Sequence, residues 1–163
     1  MSRMRRAFRA LILAGGIAGL AVGVTAVPAH AVLPPGAFVL APADPQYSGN
    51  CVTAVASGRD IGIAPCNIIL GAQQWQYGRT VVASSDQSLV DRLTFRCATK
   101  AGTDVYSAPC GPGGNQLWVQ TPLQQIQLAG TDQCWQVSNG AIVLATCASS
   151  VDLSQVFVPV PVP

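Results

Sequence analysis

Apolar and polar positions alternate in short runs along most of this 163-residue chain. The runs CVTAV (51–55), DIGIAP (60–65), TVVA (80–83), IQLA (126–129) and AIVLAT (141–146) are β-branched or repeat with a period of two. That is the pattern of half-buried strands. Turn clusters separate them: Ser57-Gly58, Gly111-Pro112-Gly113-Gly114 and Ser138-Asn139-Gly140. Asn139-Gly140, set between two apolar runs, predicts a two-residue hairpin. No window beyond residue 31 sustains a 3.6-residue apolar period, so the chain reads as all-β.

The N-terminus departs from this pattern. Arg3, Arg5, Arg6 and Arg9 precede an apolar stretch from Ala10 to Val27, followed by Pro28 and Ala29-His30-Ala31. A basic region, an apolar region and an A-x-A site predict a secretory signal peptide over residues 1–31, cut between Ala31 and Val32. The stretch is short for a membrane span and four glycines interrupt it, so no stable membrane anchor is expected after cleavage. Arg5-Arg6-Ala7-Phe8 also has the form of a twin-arginine signal. Met4 stands where that signal usually has Ser or Thr, and disulfide-bearing cargo favours the general secretory route.

Setting residues 1–31 aside reverses the charge. The whole chain carries nine Lys and Arg against seven Asp, formally +2. Residues 32–163 keep five basic and all seven acidic groups, formally −2, and contain neither His nor Glu. Ser-His-Asp and Cys-His nucleophile systems and imidazole-ligated metals are thereby excluded. Five scattered cations do not form the basic stripe that nucleic-acid binding needs. No D-x-D-type calcium loop is present. No cofactor, no metal and no nucleic-acid partner are expected.

Six cysteines remain: Cys51, Cys66, Cys97, Cys110, Cys134 and Cys147. No C-x-x-C pair suggests zinc. An even number in an exported chain suggests disulfides. Separations of 15, 13 and 13 suggest the local pairs Cys51–Cys66, Cys97–Cys110 and Cys134–Cys147. Aligning the chain on these cysteines exposes three repeats of about 40 residues. Each repeat has a cysteine pair, a link of variable length, and then Q-x-aromatic: Gln73-Gln74-Trp75, Gln116-Leu117-Trp118 and Gln155-Val156-Phe157. Many short strands in a three-fold repeat predict a closed β architecture. The recurring Trp75, Trp118 and Phe157 read as core aromatics, as does Trp135. Val156-Phe157-Val158 is expected to pair with Phe38-Val39-Leu40, and the Pro-Val alternation after it to form an extended tail.

Three Q-x-aromatic motifs in phase with three cysteine pairs resemble the ricin B-type lectin family over about residues 37–159. The resemblance implies a β-trefoil of three four-stranded repeats, preceded by a linker at 32–36 and followed by a tail at 160–163. It further implies that the motif glutamines hydrogen-bond backbone to fix each repeat, and that the function is binding galactose-type or xylan-type sugars. A sugar-binding repeat of that family has Cys-x-Asp, an aromatic two residues before the second cysteine, and Asn before the motif glutamine. Here these positions hold Thr53, Thr99 and Gln136; Ala64, Ala108 and Ala145; and Ala72, Asn115 and Ser154.

Repeat two departs least. Its candidate sugar-binding residues are Thr99, Asp104, Tyr106, Asn115 and Gln116, with Tyr106 offering a stacking surface and Asp104 a carboxylate. The alternative reading makes Thr99 a strand filler, Asn115 a turn residue with Gly113-Gly114, and Tyr106 a cover for the barrel rim. The seven aspartates occupy unlike repeat positions in this reading and no motif ties two together, so catalysis is not expected. The function read from the sequence is secreted, non-catalytic carbohydrate binding through a degenerate site. The alternative is a trefoil scaffold that has lost sugar binding and contacts an extracellular protein.

Overall fold

In the computed structural model, residues 33–34, 36–54, 60–78 and 88–163 are described. The expected signal peptide, its Ala31–Val32 cleavage site, the TVVA run and the Ser57-Gly58 turn lie outside them. The described residues form twelve strands, four in each repeat. Repeat one has β1 (Phe38–Pro42), β2 (Asn50–Ala54), β3 (Ile61–Pro65) and β4 (Trp75–Gly78). Repeat two has β5 (Ser88–Asp91), β6 (Cys97–Ala101), β7 (Asp104–Ala108) and β8 (Trp118–Gln120). Repeat three has β9 (Ile126–Leu128), β10 (Gln133–Ser138), β11 (Ala141–Thr146) and β12 (Phe157–Pro161). A single-turn 3-10 helix ends on the motif glutamine of each repeat, at 71–73, 114–116 and 153–155. The chain is an all-β trefoil.

The local rules hold where they can be checked. Along β11 burial alternates, with Ile142 and Leu144 inside, as a period-two strand requires. Asn139 and Gly140 take φ of 51° and 81°, the left-handed pair of a type I′ hairpin turn. Three hairpins, β2–β3, β6–β7 and β10–β11, form one end of the molecule. Strands β12, β1, β4 and β5 run side by side in the wall. Strand β8 pairs with β9, and a Gln125–Val156 bridge joins that edge to β12.

The core closes around one ring. Trp75, Trp118 and Phe157, one per repeat, are fully buried, and Trp135 packs edge-on against all three at centroid distances of 6.4, 5.3 and 5.9 Å. Each edge-to-face contact contributes about 0.5–1.5 kcal/mol beyond area burial. Trp135 directly follows Cys134, the first cysteine of its repeat, and its counterparts after Cys51 and Cys97 are Val52 and Ala98. Three large side chains would collide there, so one large, one medium and one small residue fill the space. The indole N–H of Trp75 donates to the Val52 carbonyl at 3.1 Å and that of Trp118 to the Ala98 carbonyl at 2.9 Å. The buried Trp135 N–H has no partner among the described residues.

All six cysteines are paired, and each pair is the local one expected. Disulfides join Cys51 to Cys66, Cys97 to Cys110 and Cys134 to Cys147. Loops of this size each contribute roughly 3 kcal/mol in the chain-entropy model. The three motif glutamines lock the same hairpins. Gln73 Nε2 donates to Pro65 O at 3.0 Å and its Oε1 accepts from the Asn67 N–H at 2.6 Å. Gln116 bonds Pro109 O and the Gly111 N–H at 2.9 and 2.8 Å. Gln155 bonds Thr146 O and the Ala148 N–H, both at 2.9 Å. Each amide thus grips the residues on either side of the second cysteine: Cys66, Cys110 or Cys147.

Both termini differ from expectation. Leu33, inside the expected linker at 32–36, is buried in the core cluster. Strand β12 continues to Pro161, past the expected boundary at 159. Phe38-Val39-Leu40 faces Pro161-Val160-Pro159, not Val156-Phe157-Val158. The prolines do not break this ladder because they occupy alternate positions. The Val162 N–H reaches Ala37 O at 2.9 Å while the Phe157 N–H points the other way, to Gln124 O. In antiparallel pairing this puts the valine N–H groups towards β1 and the donorless proline nitrogens on the outer edge. That edge is thereby closed to further pairing.

Replacing Trp118 by Phe leaves the Ala98 carbonyl unpaired, whereas replacing Trp135 by Phe removes a donor already without a partner. Both changes lose ring volume. Urea unfolding should find W118F destabilised by about 1–3 kcal/mol more than W135F. Equal losses would show that the orphan N–H carries no penalty.

Candidate functional site

The three hairpins meet in a cyclic pattern at the capped end. The residue six positions before the second cysteine is Asp60, Asp104 or Ala141, and it pairs with the next hairpin round the axis. Asp60 pairs with Tyr106, Asp104 with Val143, and Ala141 with Gly62. Each partner lies two residues beyond the equivalent starting position, so the contacts close a triangle. Gly62 is required at its corner, because a Cβ there would lie 2.9 Å from Gly140 O.

Inside the triangle is a cavity of about 190 Å3, lined by Asp60, Ile61, Asp104, Val105, Ala141 and Ile142. These are three equivalent pairs of neighbours. Ile61, Val105 and Ile142 are buried and make an apolar floor, while Asp60 and Asp104 are exposed at the rim. Half-buried Tyr106 sits beside Asp60 through the strand bridge. Among the described residues the lining contains two carboxylates and no cation. Carboxylates above an apolar floor accept hydrogen bonds from hydroxyls while the floor meets C–H groups, a combination suited to a small polyol ring.

The acids therefore do not all occupy unlike repeat positions, as the sequence reading held. Asp60 and Asp104 are direct counterparts in repeats one and two. Repeat one carries two extra residues between its cysteines, and these fall before β3, so counting forward from Cys51 hides the match. Counting back from the second cysteine reveals it.

The other candidates are placed differently. Thr99 is 2 % exposed; its hydroxyl donates to Cys97 O at 2.9 Å and accepts from Gln116 Nε2 at 2.9 Å. Gln116, also buried, uses its remaining amide atoms on Pro109 and Gly111. Every polar atom of the two is bonded within the fold, which makes them the clamp of the hairpin that carries Asp104 and Tyr106. Gln73 makes the same bond to Thr53, at 3.0 Å. Gln136, at the third equivalent position, turns instead to Ser154 Oγ. Asn115 is exposed, lies outside the cavity, and folds its Oδ1 over Gly113, where a Cβ would come within 2.6 Å of it. Asp104 and Tyr106 are brought together, with Asp60 as a member the sequence reading missed.

A second cleft, about 450 Å3, is lined by residues 41–45, 48–50 and Cys66. Its Asp44 accepts from the Gln46 N–H and its Asn50 donates to Tyr47 O, so both shape their own loop. Burial against Phe38 pushes the Tyr77 phenol above its ordinary range, far from either aspartate in the sequence and facing the core. Among the described residues no group of three His, Cys, Asp or Glu side chains is placed to hold a metal. No helix among them is long and apolar enough to cross a membrane.

No protein-family model matches the chain, and no curated protein sequence matches it. Solved structures do. A designed three-fold symmetric protein, ThreeFoil, superposes with a TM-score of 0.62 at 15 % identity, over 77 % of this chain and 98 % of its own. The Polyporus squamosus lectin gives 0.64 at 15 % identity, over 77 % of this chain and 48 % of the lectin. A GlcNAcα1-4Gal-releasing endo-β-galactosidase from Clostridium perfringens gives 0.66 at 6 % identity, over 78 % of this chain and 32 % of the enzyme. The chain thus spans about a third of that enzyme and half of that lectin. At these identities the likeness is one of fold, and that fold is the β-trefoil.

Truncating Gln116 strands the Pro109 carbonyl, the Gly111 N–H and the Thr99 hydroxyl together. Gln116→Ala should lower unfolding free energy by about 2–4 kcal/mol, while Asn115→Ala should change it by less than about 0.5 kcal/mol. Denaturant titration of the two variants checks the division between clamp and surface.

Proposed function

We propose that this chain is a secreted, non-catalytic carbohydrate-binding trefoil of ricin B type, engaging one sugar ring at the cavity where its three hairpins meet. Asp60 and Asp104 accept hydrogen bonds from ring hydroxyls. Ile61, Val105 and Ile142 receive the apolar face of the ring, and Tyr106 borders it. Thr99 and Gln116 serve the site indirectly, by fixing the hairpin that carries Asp104 and Tyr106. The observation that carries this reading is the pair of equivalent carboxylates above an apolar floor. The fold likeness to a Polyporus squamosus lectin, described as bound to Neu5Acα2-6Galβ1-4GlcNAc, supports the ligand class and leaves the sugar open. The departures at Thr53, Thr99 and Gln136 explain why the site lies on the axis and not at the three Cys-x-Asp positions.

A glycan array covering galactosides, xylan and cell-wall glycans, followed by calorimetry on the best ligand, tests the proposal. Wild type should bind, and D60N and D104N should each weaken binding about tenfold or more, the worth of a hydrogen bond to a charged acceptor. Asn115→Ala should bind as wild type does. Failure to bind any glycan at millimolar concentration would leave the fold as a protein-interaction scaffold. Turnover of a polysaccharide, lost in D60N or D104N, would make the two aspartates hydrolytic.

A further inference from the structure

Two loop tips at the other end of the β6–β7 hairpin carry the most exposed large apolar side chains among the described residues of repeats one and two. Ile68, Ile69 and Leu70 follow the second cysteine of repeat one, with Ile69 83 % exposed. Leu93 and Phe95 lie in the turn between β5 and β6, with Phe95 68 % exposed. The two tips are adjacent. A Cβ on Gly71 would meet Leu93 Cβ at 3.4 Å, and Gln74 ties them by receiving the Arg92 guanidinium on Oε1 and donating Nε2 to Ile68 O.

The presentation is built. Buried Asp91 receives the Leu93 and Thr94 N–H groups and the Thr94 hydroxyl, which folds residues 92–95 into a tight turn. That turn holds Phe95 at φ 56°, a left-handed conformation unfavourable for an aromatic residue. A buried carboxylate and a strained backbone thus hold a phenyl ring out in water.

We infer that these tips dock peripherally on an anionic lipid surface. Charge decides among occupants. Three cations stand among the described residues, and Lys100, towards the hairpin-triangle end of β6, donates its Nζ to Gln133 Oε1. Half-buried Arg96 donates to Ser107 O at 3.0 Å, so exposed Arg92, between the apolar tips, is the cation they present. A second copy meeting this face brings no exposed carboxylate to Arg92, because Asp91, the acid of these tips among the described residues, is buried and turned into its own loop. Protruding apolar tips with a guanidinium beside them fit the boundary between acyl chains and anionic headgroups.

Sedimentation with vesicles tests this, comparing phosphatidylcholine alone with phosphatidylcholine containing about 30 mol % phosphatidylserine. Every variant is the secreted form, residues 32–163, which rests on the proposed secretion and leaves out the basic apolar segment at 3–27 that would itself partition into vesicles. Wild type should prefer the anionic vesicles, and the preference should fall with added salt. I69S with F95S together should lower partitioning at least tenfold, and R92Q about fivefold. Unchanged thermal unfolding keeps a folding defect apart from lost docking. D104N should partition as wild type does, which separates this face from the sugar cavity. Equal partitioning of wild type and the I69S/F95S pair overturns the inference. So does a concentration-dependent dimer, seen in sedimentation velocity, that the same pair abolishes.

Discussion

Three copies of one unit meet on a common axis, and each level of that axis has room for only one large side chain. Around Trp135 the constraint is met by asymmetry. The indole takes the centre, Val52 and Ala98 shrink to admit it, and Trp75, Trp118 and Phe157 surround it. Nearer the capped end the same constraint is met by symmetry. Ile61, Val105 and Ile142 are alike in size, none reaches the axis alone, and a cavity of about 190 Å3 remains. The unpaired Trp135 N–H and the axial cavity are two results of one packing problem: repeated chains fill an axis completely only by breaking their own symmetry.

The glutamine clamps explain how the Cys-x-Asp positions can lack aspartate without loss of fold. In repeats one and two the motif amide donates to Thr53 or Thr99, which stand at those positions. A hydroxyl there satisfies the amide, leaves no charge in a buried place, and bonds the preceding cysteine carbonyl as well. A carboxylate directed at a ligand must stay hydrated or paired, at a desolvation penalty when it is not. The Thr-Gln bond therefore favours a closed repeat over an open one. Where carboxylates persist, at Asp60 and Asp104, they stand at the exposed starts of β3 and β7 and impose no such penalty.

How much of this was legible in the sequence follows from which end of an element was counted. Cysteine phase and the three Q-x-aromatic motifs located all three repeats, because each repeat keeps the order cysteine, cysteine, Q-x-aromatic while the lengths between them vary little. The pairing of Cys134 with Cys147 was as legible as the other two, since a hairpin returns the chain to its start whatever the length of its loop. The equivalence of Asp60 and Asp104 was hidden by two extra residues ahead of β3, where a hairpin loop absorbs length freely. The clamp role of Thr99 and Gln116 was hidden for another reason: polarity marks a hydrogen-bonding residue, and only the packed structure shows the neighbour that it bonds. The prolines of β12 misled by number. Their spacing of two, matching the pleat, decided that they could remain in a strand.

The five residues of β6 separate the two faces proposed to act. Phe95 stands just before its first residue, and Asp104 pairs with its last, Ala101. At about 3.3 Å per residue the strand sets them roughly 15 Å apart, with the Cys97–Cys110 disulfide at one end and the hairpin triangle at the other. Contacts at the Phe95 tip thus leave the axial carboxylates uncovered. The stiffness that makes this separation dependable comes from Gln116, which ties β6 through Thr99 to the backbone beside Cys110. A residue that touches neither ligand thereby sets the distance between the places where two ligands would bind.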